Sequence, residues 1–151
     1  MTSETDPETG YVRPDLELLG DEHVARYRAT AGEIGHSWNG VHCLLLAVPG
    51  RRTGIVRRTP LIYGCDGATS LVVASNGGSQ GHPSWYLNVV AAGSAEIQVG
   101  PQTMTVDCRP ITEPDRYDLA WARMCALWPN YAVYRRRTSR TIPIVALLPR
   151  W

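Results

Sequence analysis

No lysine and no phenylalanine occur among the 151 residues. All 15 basic side chains are arginine, so any anion held by formal charge is held by planar guanidinium forks and not by ammonium groups. Metal-binding spacings such as CxxC, HxH and HExxH are also missing. Cys43, Cys65, Cys108 and Cys125 are scattered, as are His23, His36, His42 and His82, and no metal site is indicated. The cysteines are expected to be small buried hydrophobes in a reducing compartment. No apolar run approaches the roughly 20 residues that span a bilayer. The longest, Val41 to Val48, is interrupted by His42. The acidic and polar start (Thr2, Ser3, Glu4, Thr5, Asp6) is unlike the basic opening of a signal peptide. A cytoplasmic protein without stable membrane association is expected.

What is present bounds the rest. Hydrophobic residues at 44% and charged residues at 19% exclude a chain disordered throughout, and the length suits one domain with a real core. A net charge of +1 argues against bulk nucleic-acid binding. The ends differ sharply in sign: residues 1–22 carry seven acids and one arginine, whereas residues 119–151 carry six arginines and no acid.

Residues 1–14 lack periodicity and read as a loose acidic tail. The rest, 15–151, reads as one domain opening on a helical segment (15–36), where Leu16, Leu19, His23, Tyr27 and Ala31 recur at helical spacing around Gly20. Val41–Val48 reads as a buried strand, followed by a polar hairpin arm over 51–58 and strands at Pro60–Cys65 and Ser70–Ser75. Pro83 suits the first position of a helix running to about Ala92. Two alternating strands then meet at Gly100-Pro101. Thr112 and Asp115 resemble a capping box for a helix carrying Tyr117, Ala120, Trp121, Met124 and Trp128 on one face. Pro129 restarts a second helix with Tyr131 and Tyr134, and Ile142–Leu148 closes the chain as a strand. Locally paired strands with helices set between hairpins favour an α+β barrel over a parallel doubly wound sheet.

Three constellations carry possible chemistry. In Gly50 to Pro60, Arg51, Arg52, Arg57 and Arg58 stand with Thr53 and Thr59 and without an acid, a composition suited to phosphate or carboxylate. The bland alternative is a solvated basic hairpin. Ala74-Ser75-Asn76-Gly77-Gly78 leads through His82-Pro83 to Trp85 and Tyr86, and offers backbone donors that a flat heteroaromatic ring could use; an ordinary loop with Trp85 in the core is the other reading. Trp128, Tyr131 and Tyr134 form an aromatic stripe, which is either core or a pocket whose phenols donate protons.

In this order and spacing, the chain resembles the deazaflavin-dependent nitroreductase/quinone reductase family of actinobacteria, which uses reduced coenzyme F(420). The resemblance runs from Gly35-His36-Ser37-Trp38-Asn39-Gly40 to Pro149. It is carried by Gly50–Gly54, Arg57–Tyr63, Ala74–Gly78, His82–Asn88, Trp128–Tyr134 and Thr138–Pro143. It implies a split β-barrel, like that of flavin-mononucleotide-binding oxidoreductases, with flanking helices. It also implies cofactor contacts from Arg51, Arg52, Thr53, Arg57 and Arg58 to the anionic tail, and from Ala74, Ser75, Asn76, Gly77, Gly78, Pro83, Trp85 and Tyr86 at the ring.

A pocket lined by Trp128, Tyr131 and Tyr134 would take the electron acceptor, a quinone or another electron-poor molecule such as a nitroaromatic or an unsaturated lactone. Tyr131, Tyr134 or Ser75 would protonate the reduced oxygen. Asn76 stands where relatives often have Lys, and Trp128 where some have Tyr. The alternatives are a flavin-mononucleotide (FMN) enzyme on the same barrel, a deazaflavin carrier without turnover, and an acid–base interaction module. Either a monomer or a homodimer is compatible.

Overall fold

Apolar side chains run almost unbroken through the strands at Val41–Pro49 and Ile144–Pro149 because these are buried on both faces. The computed structural model describes residues 4–7 and 9–150. Its elements are β1 (Glu4–Thr5), β2 (Val12–Arg13), α1 (Gly20–Ala29), β3 (Ser37–Trp38), β4 (Val41–Pro49), β5 (Val56–Ile62), β6 (Gly64–Asp66) and β7 (Thr69–Val73). A single turn at Asn76–Gly78 precedes α2 (Ser84–Ala92), β8 (Ser94–Val99), β9 (Gln102–Pro110), α3 (Pro114–Leu127), α4 (Asn130–Arg136) and β10 (Ile144–Pro149). The large sheet runs β3-β4-β8-β9-β10-β7-β6, with β5 on the other edge of β4. Every pairing is antiparallel. The sheet curls into a split barrel, in which β5 lies against β7 without sharing a ladder.

Alternation along β7 and β10 builds two cores. Val72, Val145 and Leu147 face the barrel interior with Leu44, Leu46, Val48 and Val106, and Trp85 and Val89 of α2 pack into the same cluster. Their neighbours Leu71, Val73, Ile144 and Ala146 face outward, under Ala120 and Met124 of α3, Trp128, and Tyr131 of α4. Each fully buried aliphatic side chain contributes roughly 1.5–3 kcal/mol, which makes this double burial the main source of stability. No helix among the described residues is long and apolar enough to cross a membrane.

Several local expectations are corrected. The reading of 1–14 as loose fails over its described residues (1–3 and 8 lie outside them). Glu4–Thr5 pairs with Val12–Arg13, and Tyr11 packs on Tyr134 at 6.3 Å. Long-range hydrogen bonds to Asn130 hold this segment where local periodicity was silent. The helix expected within 15–36 covers only Gly20–Ala29. Upstream of it the backbone is diverted into a bond from the Asp15 N–H to Asn39 Oδ1 at 2.7 Å. The Thr112–Asp115 capping box does not form, because Pro114 starts α3 and makes Glu113 the N-cap, without a side-chain cap bond. Pro83 likewise sits at the cap of α2 and not inside it. Cys43 and Cys108 are buried as expected, but Cys65 is exposed on the short edge strand β6 and Cys125 is only half-buried.

Candidate functional site

A cavity of about 510 Å³ opens at the seam of the barrel. Thr59, Pro60, Leu61 and Ile62 of β5 form one wall. Val73, Ser75, Asn76 and Gly77 form the facing wall, and Pro83 and Trp85 close one end. Trp128, Tyr131 and Tyr134 come in from the α3–α4 corner, with Cys43 and Trp38 beside them. Tyr11, Pro14, Leu16 and Leu19 form an apolar roof. Leu16 and Leu19 are 53% and 56% exposed, so the roof presents apolar surface at the mouth of the cavity.

The second and third constellations therefore share one space. Ser75, Asn76, Gly77, Pro83, Trp85, Trp128, Tyr131 and Tyr134 all line it. Ala74 is buried in the barrel core beneath the loop. Gly78 presses against α4: a Cβ there would meet the Tyr134 carbonyl oxygen at 2.7 Å, and its φ of +83° favours glycine in any case. Tyr86 stands edge-on to Trp85 and packs against the barrel core, one layer back from the cavity.

The arginine loop lies outside the cavity, at the β4–β5 turn. Arg51 donates twice to Asn88 Oδ1 of α2, from its backbone N–H and its guanidinium, each at 3.0 Å. Thr53 Oγ1 accepts from the Ile55 N–H at 3.2 Å and shapes the turn. Arg52, Arg57 and Arg58 are exposed. The ion pairs among the described residues are Arg26–Glu22, Arg123–Asp66 and Arg150–Asp107, so no acid among those residues pairs with an arginine of the loop. Arg57, Thr59 and Leu61 alternate onto one face of β5, which places Arg57 about 7 Å along the strand from the cavity wall at Thr59. An elongated molecule with a flat head and an anionic tail fits this arrangement.

The loop after β7 supplies the polar surface of the cavity. Ser75 is right-handed (φ −74°, ψ −34°), whereas Asn76 and Gly77 are left-handed, with φ of +48° and +64°. The backbone N–H groups of Ser75, Asn76 and Gly77 have no acceptor among the described residues. A Cβ at Gly77 would meet nothing within 4 Å, so the loop leaves open space for a ligand. Together with the unpaired arginines, this fits a flat heteroaromatic group with hydrogen-bond acceptors and a charged tail.

Electrostatics favour a protonated phenol. Tyr131 is 4% exposed and makes no hydrogen bond to a described residue, yet no buried polar side-chain atom among those residues is left without a partner or solvent access. Its hydroxyl therefore opens on the cavity. Burial, and then the neighbouring Cys43, pushes its pKa far above the ordinary phenol range. Tyr134 is raised chiefly by burial, with a hydrogen bond from Trp128 opposing. Burial also pushes the Cys43 thiol up to about 12, so it is an apolar wall and not a nucleophile.

Two groups of residues escaped the sequence reading. The roof residues carry no pattern that marks them as a lining. Arg140 lies in the Thr138–Pro143 landmark, but nothing local gives it a role; its one signal is an acid-free surrounding. It donates to the carbonyl oxygens of Ser75 (2.8 Å), Ser79 (2.9 Å) and Ala74 (3.3 Å), and lies 3.1 Å from His82 Nδ1.

Comparison with known proteins supplies the family context. The model of the F(420)H(2)-dependent quinone reductase family matches residues 19–149. An F(420)H(2)-dependent quinone reductase of Mycobacterium tuberculosis is 42% identical over 132 residues, covering 85% of this chain and 88% of that one. A solved F(420)H(2)-dependent reductase superposes with a TM-score of 0.63 at 30% identity, covering 70% of this chain and 92% of that one. A second solved structure, described as a domain-swapped dimer, reaches 0.67 at 28% identity, covering 83% of this chain and 94% of that one.

Proposed function

Since the chain belongs to the F(420)H(2)-dependent quinone reductase family, we propose that it is an F(420)H(2)-dependent reductase whose seam cavity takes the cofactor ring and an apolar, electron-poor acceptor, with a quinone as the first choice. When bound, the reduced deazaflavin supplies the hydride; the protein binds, orients and shields. Arg51, Arg52, Thr53, Arg57 and Arg58 hold the phosphate and carboxylates of the tail. The amides of Ser75, Asn76 and Gly77 face the ring, Ala74 and Gly78 fix the loop beneath them, and Pro83 and Trp85 wall its edge with Tyr86 behind. Asn76 replaces a lysine found in relatives. Its side chain donates to the Gly81 carbonyl oxygen at 3.1 Å, so it shapes the loop and adds no charge.

Trp128, Tyr131 and Tyr134 hold the acceptor. The Tyr131 hydroxyl is the first choice as donor to the acceptor oxygen, ahead of Tyr134 and Ser75, because it lines the cavity and hydrogen-bonds to no other described residue. The leucine roof excludes water and favours a hydrophobic ring system. One observation carries this reading: free loop amides, a phenol without a described partner and an apolar roof line one cavity, with Arg57 of the arginine loop on the strand face that leads to it.

Fluorescence titration with oxidised coenzyme F(420) and, in parallel, with FMN tests the cofactor. Tight binding of the first and weak binding of the second is expected, and the reverse preference overturns the assignment. Oxidation of the reduced cofactor in the presence of quinones tests turnover. Tight binding with no oxidation across a panel of quinones and nitroaromatics would make the protein a carrier.

A further inference from the structure

Arg140 is the cation most deeply engaged with the cofactor loop, and it has no acidic partner. Its three closest oxygen contacts are main-chain carbonyls and its fourth contact is a histidine nitrogen. Arg137 adds a longer bond of 3.4 Å to the Gly77 carbonyl. The other titratable groups around the loop and the cavity it lines are Tyr11, His23, Cys43, His82, Tyr131 and Tyr134, and none of the three ion pairs among the described residues reaches it.

Peptide geometry gives this network a direction. All peptide bonds described are trans, so the C=O and N–H of one peptide unit point opposite ways. Arg140 binds the carbonyls of Ala74 and Ser75, the second shared with the Gly78 N–H at 2.9 Å, so the N–H groups of Ser75 and Asn76 point away from it. The Asn76 carbonyl is engaged by the Ser79 N–H at 3.1 Å, which points the Gly77 N–H away from Ser79. Ser75, Asn76 and Gly77 are the residues of this loop that line the cavity. The right-handed to left-handed step at Ser75–Asn76 makes successive amides converge on one side, an arrangement that favours negative charge.

We propose that Arg140 is a positioning residue, which aims the Ser75, Asn76 and Gly77 amides into the cavity and, through its uncompensated charge, stabilises the anionic form of the bound deazaflavin ring. This rests on the cofactor assignment above. The 8-hydroxyl of that ring is conjugated with its carbonyls, so its conjugate base spreads negative charge over oxygens that face donors wherever the ring sits against the loop. A lysine at this position would keep the charge but could not span four acceptors with a rigid fork.

The test is an absorbance titration of the 8-hydroxyl in oxidised cofactor bound to the wild-type protein, Arg140→Met and Arg140→Lys, together with affinity and melting temperature. The bound hydroxyl in wild type is expected to ionise at lower pH than in free cofactor. Arg140→Met should move that titration up by about one pH unit and weaken binding about tenfold. Arg140→Lys should bind several-fold more weakly while titrating close to wild type, because the charge remains. If Arg140→Met is too unstable to fold, Arg140→Lys still decides: unchanged affinity shows that the fork does not set the amides. A lower melting temperature with an unmoved titration in a cofactor-binding variant reduces Arg140 to a structural brace and overturns the inference alone. Failure of wild type to bind the cofactor overturns the assignment beneath it as well.

Discussion

Asn130 grips the main chain of Val12 at both of its polar groups. Its Oδ1 accepts from the Val12 N–H at 2.7 Å, and its Nδ2 donates to the Val12 carbonyl at 2.6 Å. Asn39 repeats the grip on Asp15 at 2.7 and 2.8 Å. Two amide side chains thus hold the roof segment over the cavity as a neighbouring strand would.

Asn130→Ala would leave the Val12 groups without protein partners and remove two bonds from a side chain that is 1% exposed. A loss of roughly 1–3 kcal/mol in stability is expected. Hydrogen exchange at the Val12 amide should accelerate, and the Michaelis constant for apolar acceptors should rise. Faster exchange with unaltered kinetics would show that the roof is not part of the acceptor site.

If the arginine loop holds the cofactor tail, it acts on affinity. Arg51→Ala with Arg57→Ala should weaken deazaflavin binding at least about tenfold, and wild-type affinity should fall as salt rises, because exposed charges are screened within about 10 Å at 0.1 M. A folded double variant with wild-type affinity would remove the loop from the site.

Tyr131→Phe should leave cofactor affinity intact while slowing acceptor reduction, by about a hundredfold or more if the hydroxyl is the general acid. A lower melting temperature with an unchanged rate constant would assign Tyr131 to the core. Its pKa is raised in the folded protein, so the stability it contributes is complete below the unfolded phenol value of about 10 and is lost as pH rises toward the folded one. Wild type should therefore lose stability more steeply than Tyr131→Phe above that pH.

Thiol labelling should follow exposure. Cys65 is exposed and should react first with an alkylating reagent at mildly alkaline pH. Cys43, pushed up to about 12, and Cys108, pushed up to about 11, should react only on unfolding. Prompt modification of Cys43 in folded protein would mean that the cavity wall opens.

Gly78→Ala tests the contact between the loop and α4. The added methyl collides with the Tyr134 backbone and is strained at positive φ, so reduced stability and weaker cofactor binding are expected together. Lost stability with full affinity would separate the loop from the site.

Local chemistry made much of this protein legible. The apolar run at Val41–Val48, the alternation before and after Gly100-Pro101, and the helical spacing of Tyr117, Ala120 and Met124 in α3 each announce their element, because burial imposes a period of two or 3.6 on neighbouring residues. The pieces of the site were legible in the same way: a glycine-rich strand end, an acid-free arginine loop and a tyrosine pair at helical spacing. Thr112–Asp115 misled because capping depends on where the helix begins, and Pro114 moved that point.

Only the tertiary structure decided which pieces meet. Asn130 reaches back 118 residues to Val12, and Arg140 reaches back 65 to Ser75. Neither partnership leaves a periodic trace, since a single side chain capping a distant backbone group asks nothing of its own sequence neighbours. The sequence could therefore supply the walls of the cavity, while its roof and the bracing of its loop depend on hydrogen bonds between segments that only the folded barrel brings together.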